Sequence, residues 1–338
     1  MKYSHALLSL LASLGMLAAS SHAQAQIQTQ TQAQTTWPTK AVRLLVPAPA
    51  GSSLDIVARL LSEKLMPVWG QTVIVDNKPG AGGMLGTDIA AKATDQHTMV
   101  ISFNGPIAFG PSLYKKMPYD PAKDLVAIVE TTAQPNVLAV SASLPVNTIK
   151  EFIVYAKANP GKLNYASIGN GSSSHLTMEL FKSQAGFTAT HVPFNGSPPA
   201  ALSLANGDTQ ALFAVASGIA PMVKAGKVKL LAVSSIKRFD QMPTLPSIAE
   251  SAGKGDGFKA FEALAWNGLF MAASTPEYIV AKVNRDVNAA LNTTDIKARL
   301  YVQGMQVSQS TPASFAKTIA EDAKNWGLLI QTLGFKLD

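Results

Sequence analysis

The chain contains no cysteine in 338 residues. That excludes disulfides, thiolate metal ligands, cysteine nucleophiles and lipid attachment at a processing site. Charge is also scarce, at 14% of residues with a formal net charge of +7. There is no dense Lys/Arg block and no interleaving of basic with aromatic residues, so nucleic acid is not an expected partner. Beyond the first 25 residues no apolar run reaches membrane-spanning length without polar interruption, so the processed chain is expected to be soluble. Histidines are few, and His97, His175 and His191 do not fall in a metal-ligand spacing. Asp76 and Asp88 form no paired-acid arrangement. Ser173 with His175 and a distant acid does not make a triad, since a G-x-S-x-G elbow is absent. Gly80-Ala81-Gly82-Gly83 lacks both the P-loop lysine and the G-x-G-x-x-G spacing of a nucleotide site. No catalytic residue, metal or cofactor is therefore expected.

What is present begins with residues 1–25, MKYSHALLSLLASLGMLAASSHAQA. Lys2, the apolar run Ala6–Ala19 and the small-x-small patterns Ser21-His22-Ala23 and Ala23-Gln24-Ala25 read as a secretory signal peptide. Its removal leaves a charge of +6. Residues 26–36, rich in Gln and Thr, read as a flexible leader. The chain is then organised around AVRLLVPAPAGSSLDIVARLLSEKL at 41–65. Val42, Leu44, Leu45 and Val46 predict a buried strand, and Leu54, Val57, Ala58, Leu61 and Leu65 one face of a helix. Between them lies Pro47-Ala48-Pro49-Ala50-Gly51-Ser52-Ser53. A loop there, at the carboxyl end of a strand, is either an ordinary capped turn or a seat for an anion on unpaired helix N–H groups. Asp55, one step inside the helix, suits its positive end and either caps or orients the loop.

Further strands are predicted at Thr72–Val75, Thr98–Phe103, Leu125–Val129 and Val137–Val140, separated by helices and by a surface excursion over 113–124. A second α/β series begins after Asn159-Pro160-Gly161: strand Leu163–Ser167, a helix from Ser173 to Gln184, and strands at Thr190–Val192, Thr209–Ala214 and Lys229–Val233. Between the first two lies Ile168-Gly169-Asn170-Gly171-Ser172, which repeats the opening unit's donor-rich turn, again open to two readings, an N-cap or an anion seat. His175 and His191 are read as supports for nearby loops. Pro243, Pro246, Gly253, Gly255 and Gly257 mark a loose connection. A strand at 265–271 and helices at 277–290, 295–302 and 312–331 are read as returning to the first domain. Trp69, Trp266 and Trp326 are core residues by default, with Trp266 the one near enough to the return to reach a cleft. Two donor-lined loops on opposite lobes would enclose a carboxylate without burying a full opposing charge.

The text as a whole resembles the periplasmic solute-binding proteins of tripartite tricarboxylate transport systems, the Bug group. The resemblance rests on WPTKAVRLLVPAPAGSSLDIVAR at 37–59, GQTVIVDNKPGAGGMLGTDIAAKA at 70–93, LYKKMPYDPAKDL at 113–125 and NPGKLNYASIGNGSSSHLTMELFKSQAG at 159–186. HVPFNGSPPA at 191–200, VKAGKVKLLAVSS at 223–235 and WNGLFMAASTP at 266–276 extend it. It implies an α/β, two-lobed Venus-flytrap fold, with residues 37–140 and 262–338 forming the first lobe and 141–261 the second. It implies capture of a small organic carboxylate in the periplasm by a monomer, and delivery to the large and small integral-membrane subunits of a permease. Carried over by motif, Pro47–Ser53 would be one grip with Asp55 behind it, and Asn104 would point to the cleft. Gly169, Asn170, Gly171, Ser172, Ser173 and Ser174 would be the other grip, backed by His175. Phe194, Asn195, Ala216 and Ser217 would sit at further cleft loops.

The sequence departs from the family's Pro-Phe-Pro-Pro/Ala-Gly-Gly loop at Ala48 and Ser52, and from Tyr-Lys at Phe194-Asn195. Ala48 would leave room for a bulkier ligand, and the lost lysine argues against citrate. The expectation is a mono- or dicarboxylate, with an aromatic dicarboxylate such as terephthalate a candidate. Two other classes remain open: a secreted hydrolase using a cleft serine, and a chemosensory carboxylate-binding module.

Overall fold

Alternation of short apolar runs with amphipathic segments produces two five-stranded sheets with helices packed on them. The computed structural model describes residues 37–251, 258–334 and 336. The expected signal peptide and leader, and Gly253, Gly255 and Gly257, lie outside the described residues. The chain divides into residues 1–39 and 40–338, and both sheets belong to the latter.

In the first lobe β1 (Val42–Val46), β2 (Val73–Asn77) and β3 (Thr98–Phe103) are parallel. Helices α1 (Ser53–Trp69) and α2 (Met84–Ala91) connect them. Leu54, Val57, Ala58, Leu61 and Leu65 of α1 are all buried, as the helical spacing requires. Strand β4 (Leu125–Pro135) forms an edge of this sheet.

The second lobe holds β5 (Val137–Ser141), α3 (Ile149–Ala158), β6 (Asn164–Ser167), α4 (Ser173–Ala185), β7 (Thr190–Pro193), α5 (Ser197–Asn206), β8 (Ala211–Ala214) and β9 (Val228–Val233). Their order across the sheet is β7-β6-β8-β5-β9, with β6, β7 and β8 parallel and β5 antiparallel to its neighbours. The chain then returns as β10 (Leu264–Ala272), which inserts antiparallel between β3 and β4. Helices α6 (Glu277–Leu291), α7 (Thr294–Tyr301) and α8 (Pro312–Thr332) follow. Phe315 of α8 packs edge-on against Trp266 of β10, whose indole N–H bonds Asp322 at 2.7 Å. Trp266 is therefore a core residue of the first lobe.

The second sheet begins earlier than the expected boundary at 141, because β5 pairs with β8 and β9. Only Asn136 separates β4 from β5, and the pairing that assigns β5 to the second sheet joins segments far apart in sequence. Asn136 is the centre of the crossing. Its N–H donates to Ser234 Oγ at 2.9 Å and its carbonyl accepts from Ser234 N at 2.8 Å. Its side-chain amide donates to Ser173 Oγ and Thr177 Oγ1 of α4 at 2.8 and 3.2 Å. Ala263 N–H donates to Ser234 O at 2.9 Å, which ties the returning segment to the same point. The stretch over 113–124 is less superficial than expected. Leu113 and Tyr119 are buried, and the Tyr119 hydroxyl donates to Pro106 O at 2.9 Å.

Candidate functional site

Parallel strands β1, β2 and β3 end side by side, so the turns that follow them share one edge of the sheet. Pro47–Ser52 follows β1 and Pro79–Gly83 follows β2. Facing them from the second lobe are Ile168 after β6 and Asn195–Ser197 after β7. Together they wall a space of about 30 Å³ for water-sized occupants, lined also by Leu54 and by Phe103 at the end of β3. Among the described residues lining it none is charged, and the polar side chains are Ser52, Ser53, Asn195 and Ser197. One helix from each lobe starts here, α1 at Ser53 and α5 at Ser197. The positive ends of both helices therefore meet the cavity. Ser52 caps α1 by accepting from Asp55 N at 3.3 Å, whereas Gly196 gives α5 no side-chain cap.

The first loop is held from beneath by Asp55, which is buried. Its Oδ2 accepts from Gly51 N and Arg59 Nε, both at 2.9 Å, and its Oδ1 accepts from Asn77 Nδ2 at 3.0 Å. The same Asn77 amide reaches Ala48 O at 2.9 Å. Burial alone would raise the Asp55 pKa, but hydrogen bonds from Arg59, Gly51 and Asn77 outweigh it and hold the carboxyl below its ordinary value. Gly51 sits at φ +78°, where the turn needs a left-handed residue.

The second loop rests on two stacked imidazoles, with ring centroids of His175 and His191 3.8 Å apart at 11°. His175 Nδ1 accepts from Gly171 N at 3.1 Å, so its proton belongs on Nε2. His191 Nε2 lies 2.7 Å from Ser167 Oγ, which in turn accepts from Gly169 N at 3.2 Å. Tyr165 stacks on His191 and bonds Glu179, which is paired with Lys182 at 2.7 Å. Burial, then the neighbouring His191 and Lys182, drives the His175 pKa down to about 2; burial drives His191 to about 4 despite Glu179. Both rings are neutral at pH 7.

The expected site residues separate into groups. Pro47, Ala48, Pro49, Ser52, Ser53 and Asn195 line the cavity, while Ala50 and Gly51 form the exposed outside of the turn. Gly169–Gly171 lies instead against the other lobe. A Cβ on Gly82 would come within 2.5 Å of Asn170 O, and Tyr114 Oη donates to that carbonyl at 3.2 Å. Ser172 caps α4 through His175 N, Ser173 bonds Asn136, and Ser174 bonds Phe213 O. Asn104 is fully buried and donates to Leu264 O at 3.1 Å, so it serves the crossing segment. Phe194 packs on the second-lobe core. Ala216 abuts Gly304 and Met242, and Ser217 is buried beside it. Reading by motif did not single out the lining residues Leu54, Pro79, Gly80, Gly82, Gly83, Phe103, Ile168, Gly196 and Ser197. Their signal was topological: glycines and a strand end at the carboxyl edge next to β1. A larger recess of about 520 Å³ lies beside the crossing segments, lined by residues including Gln134, Lys237, Glu262 and Ser308. It carries charges of both signs and is lined by none of the turns that follow β1, β2 and β3.

Residues 57–335 match the family model of the tripartite tricarboxylate transporter family receptor. The chain belongs to this receptor family. The receptor is 33% identical over 319 residues to a Pseudomonas sp. protein of the tcbD-tcbE intergenic region, covering 94% of this chain and 91% of that one. It is 32% identical over 304 residues to BugT of Bordetella pertussis, covering 89% and 92%. Among solved structures it resembles an R. palustris protein with adipate, at TM-score 0.84 and 31% identity over 89% of this chain and 99% of that one. It also resembles MatC from Rhodopseudomonas palustris with bound malate, at 0.81 and 30% over 87% and 100%. The receptor thus has the two-lobed α/β fold of periplasmic solute-binding proteins. None of its described helices is long and apolar enough to cross a membrane.

Proposed function

We propose that the receptor captures a short aliphatic dicarboxylate between its lobes and passes it unchanged, in the periplasm, to the large and small membrane subunits of a permease. The observation that carries this is the cavity at which two helix starts from opposite lobes converge with no charged side chain in its wall. One carboxylate would meet the start of α1 with its Ser52 and Ser53 hydroxyls. The other would meet the start of α5, where Pro198 and Pro199 carry no N–H and the donors are Ser197 and Asn195 in the field of the helix dipole. The absence of a basic side chain keeps capture reversible, since no buried ion pair has to be broken on release. Adipate and malate in the two related structures are acids of this class.

An aliphatic skeleton is favoured over terephthalate because the acids in the two related structures are aliphatic. The space of about 30 Å³ between the lobes takes only a water-sized occupant, so a dicarboxylate of either kind enters by parting them. Hydrolysis is disfavoured because His175 and His191 support loop backbone and Ser167, not the serines of the cavity wall. Calorimetric titration with succinate, malate, adipate, citrate and terephthalate tests the reading. Binding of at least one aliphatic dicarboxylate, with citrate and terephthalate weaker, is expected. Failure to bind any aliphatic dicarboxylate would overturn it.

A further inference from the structure

Phe103 is the one aromatic side chain among the described residues lining the cavity. It ends β3, is 7% exposed, and pairs in register with Asn267 of β10, so its backbone is fixed by the sheet. Its ring is fixed as well. A Cβ on Gly83 would lie 2.6 Å from Cε1, and one on Gly105 would lie 2.7 Å from Cε2. The ring therefore occupies a slot that exists only because both flanking residues lack a side chain. Gly83 needs glycine for its φ of +93° in any case, but Gly105 has an ordinary backbone conformation. At Gly105 the ring is the nearest demand, followed by the backbone of the other lobe, Gly171 O at 3.1 Å. Pro106 Cγ closes the slot beside Gly83. An aromatic ring wedged on both edges does not swing aside to admit a larger guest, because close-packed neighbours transmit the strain.

Resting on the dicarboxylate reading, we propose that Phe103 is the specificity-determining residue of the site: it is the wall that limits the ligand's skeleton to a narrow aliphatic chain and rejects a ring. Leu54, Ile168 and the prolines Pro47, Pro49 and Pro79 also line the cavity, and Phe103 is the largest side chain of the wall. Ala48, Gly80, Gly82, Gly83 and Gly196 set no comparable limit, and Ser52, Ser53, Asn195 and Ser197 serve the charged ends. Phe103 supplies apolar surface to the methylenes between the carboxylates and at the same time fills the volume an aromatic diacid requires.

The test is calorimetric titration of the wild type, Phe103→Leu and Phe103→Ala with succinate, adipate, terephthalate and benzoate. The quantity read is the ratio of adipate to terephthalate affinity within each protein, which is independent of the folded fraction. The wild type is expected to prefer adipate by tenfold or more. Phe103→Ala is expected to shift the ratio at least tenfold toward terephthalate, through tighter terephthalate and weaker adipate binding, and Phe103→Leu to fall between. An unchanged ratio in both variants, with the wild type still binding adipate, overturns the role of Phe103 and leaves the dicarboxylate reading standing. A wild type that binds none of the four acids overturns the reading and this inference with it.

Discussion

A buried carboxylate beside the proposed carboxylate site would repel the guest unless its charge is consumed locally. Asp55 meets that requirement with three donors: the Arg59 guanidinium, the Gly51 N–H and the Asn77 amide. Its charge holds the turn through Gly51 N–H, while its own N–H donates to the Ser52 hydroxyl. Asp55→Asn removes the charge that pairs with Arg59 and one of the two acceptor oxygens, so either the Gly51–Arg59 side or the Asn77 side faces an NH2 group. The expected loss is about 1–3 kcal/mol, read from urea unfolding with an unchanged m value. The pH dependence fixes the sign. The folded-state pKa is below the ordinary value, so the stabilisation is present above pH about 4 and is lost as pH falls through the folded value. The gap between wild type and variant should close on acidification below pH 4. A gap that stays constant would show that the charge of Asp55 is not what holds the loop. This residue was legible in the sequence, because an acid in the first turn after a Ser N-cap has a definite electrostatic place. Asn104 was not: its amide is used by Leu264, 160 positions away, and no local pattern encodes that.

At the level of elements the alternation of strand and helix was largely open to reading, since burial of one face imposes the period. β3 runs Thr98–Phe103 and α8 runs Pro312–Thr332, within a residue of their periodic patterns. The insertion of β10 between β3 and β4, and the passage of β5 into the second sheet, depend on pairing between distant segments. Local periodicity is blind to such pairing. The same holds for the imidazole stack, which β6, β7 and α4 assemble from residues far apart in sequence. That stack has a thermodynamic consequence. With folded pKa values of about 2 for His175 and about 4 for His191 against 6.5 for the free group, the unfolded chain binds more protons between pH 6.5 and 4. Stability is then full above pH 6.5 and declines as pH falls through that window. His191 accounts for at most about 3 kcal/mol of the decline. His191→Gln, which keeps a hydrogen-bonding group near Ser167, should flatten it. Unfolding midpoints at pH 7, 5.5 and 4.5 decide the matter, and equal slopes for wild type and variant would remove His191 as the cause.

Across the whole molecule the structure is a closed form, in which backbone of one lobe lies against backbone of the other. A side chain at Gly196 would meet Pro49 Cδ at 2.5 Å, and one at Gly105 would meet Gly171 O at 3.1 Å. The hydroxyl of Tyr114 on Asn170 O is a side-chain hydrogen bond that spans the cleft. It exists only when the lobes are together, so it biases the equilibrium toward closure without touching the cavity wall. Tyr114→Phe removes that bias and little else, because the ring stays packed on the first-lobe core. A partly solvated hydrogen bond contributes at most about 1 kcal/mol, which corresponds to about a fivefold change in affinity. The loss should fall on dissociation, since the bond forms after the ligand has entered the open cleft. Stopped-flow release of a bound aliphatic dicarboxylate is expected to quicken by about two- to fivefold in the variant, with the association rate unchanged. A slowed association with unchanged release would mean that Tyr114 shapes the open entrance and does not secure the closed state.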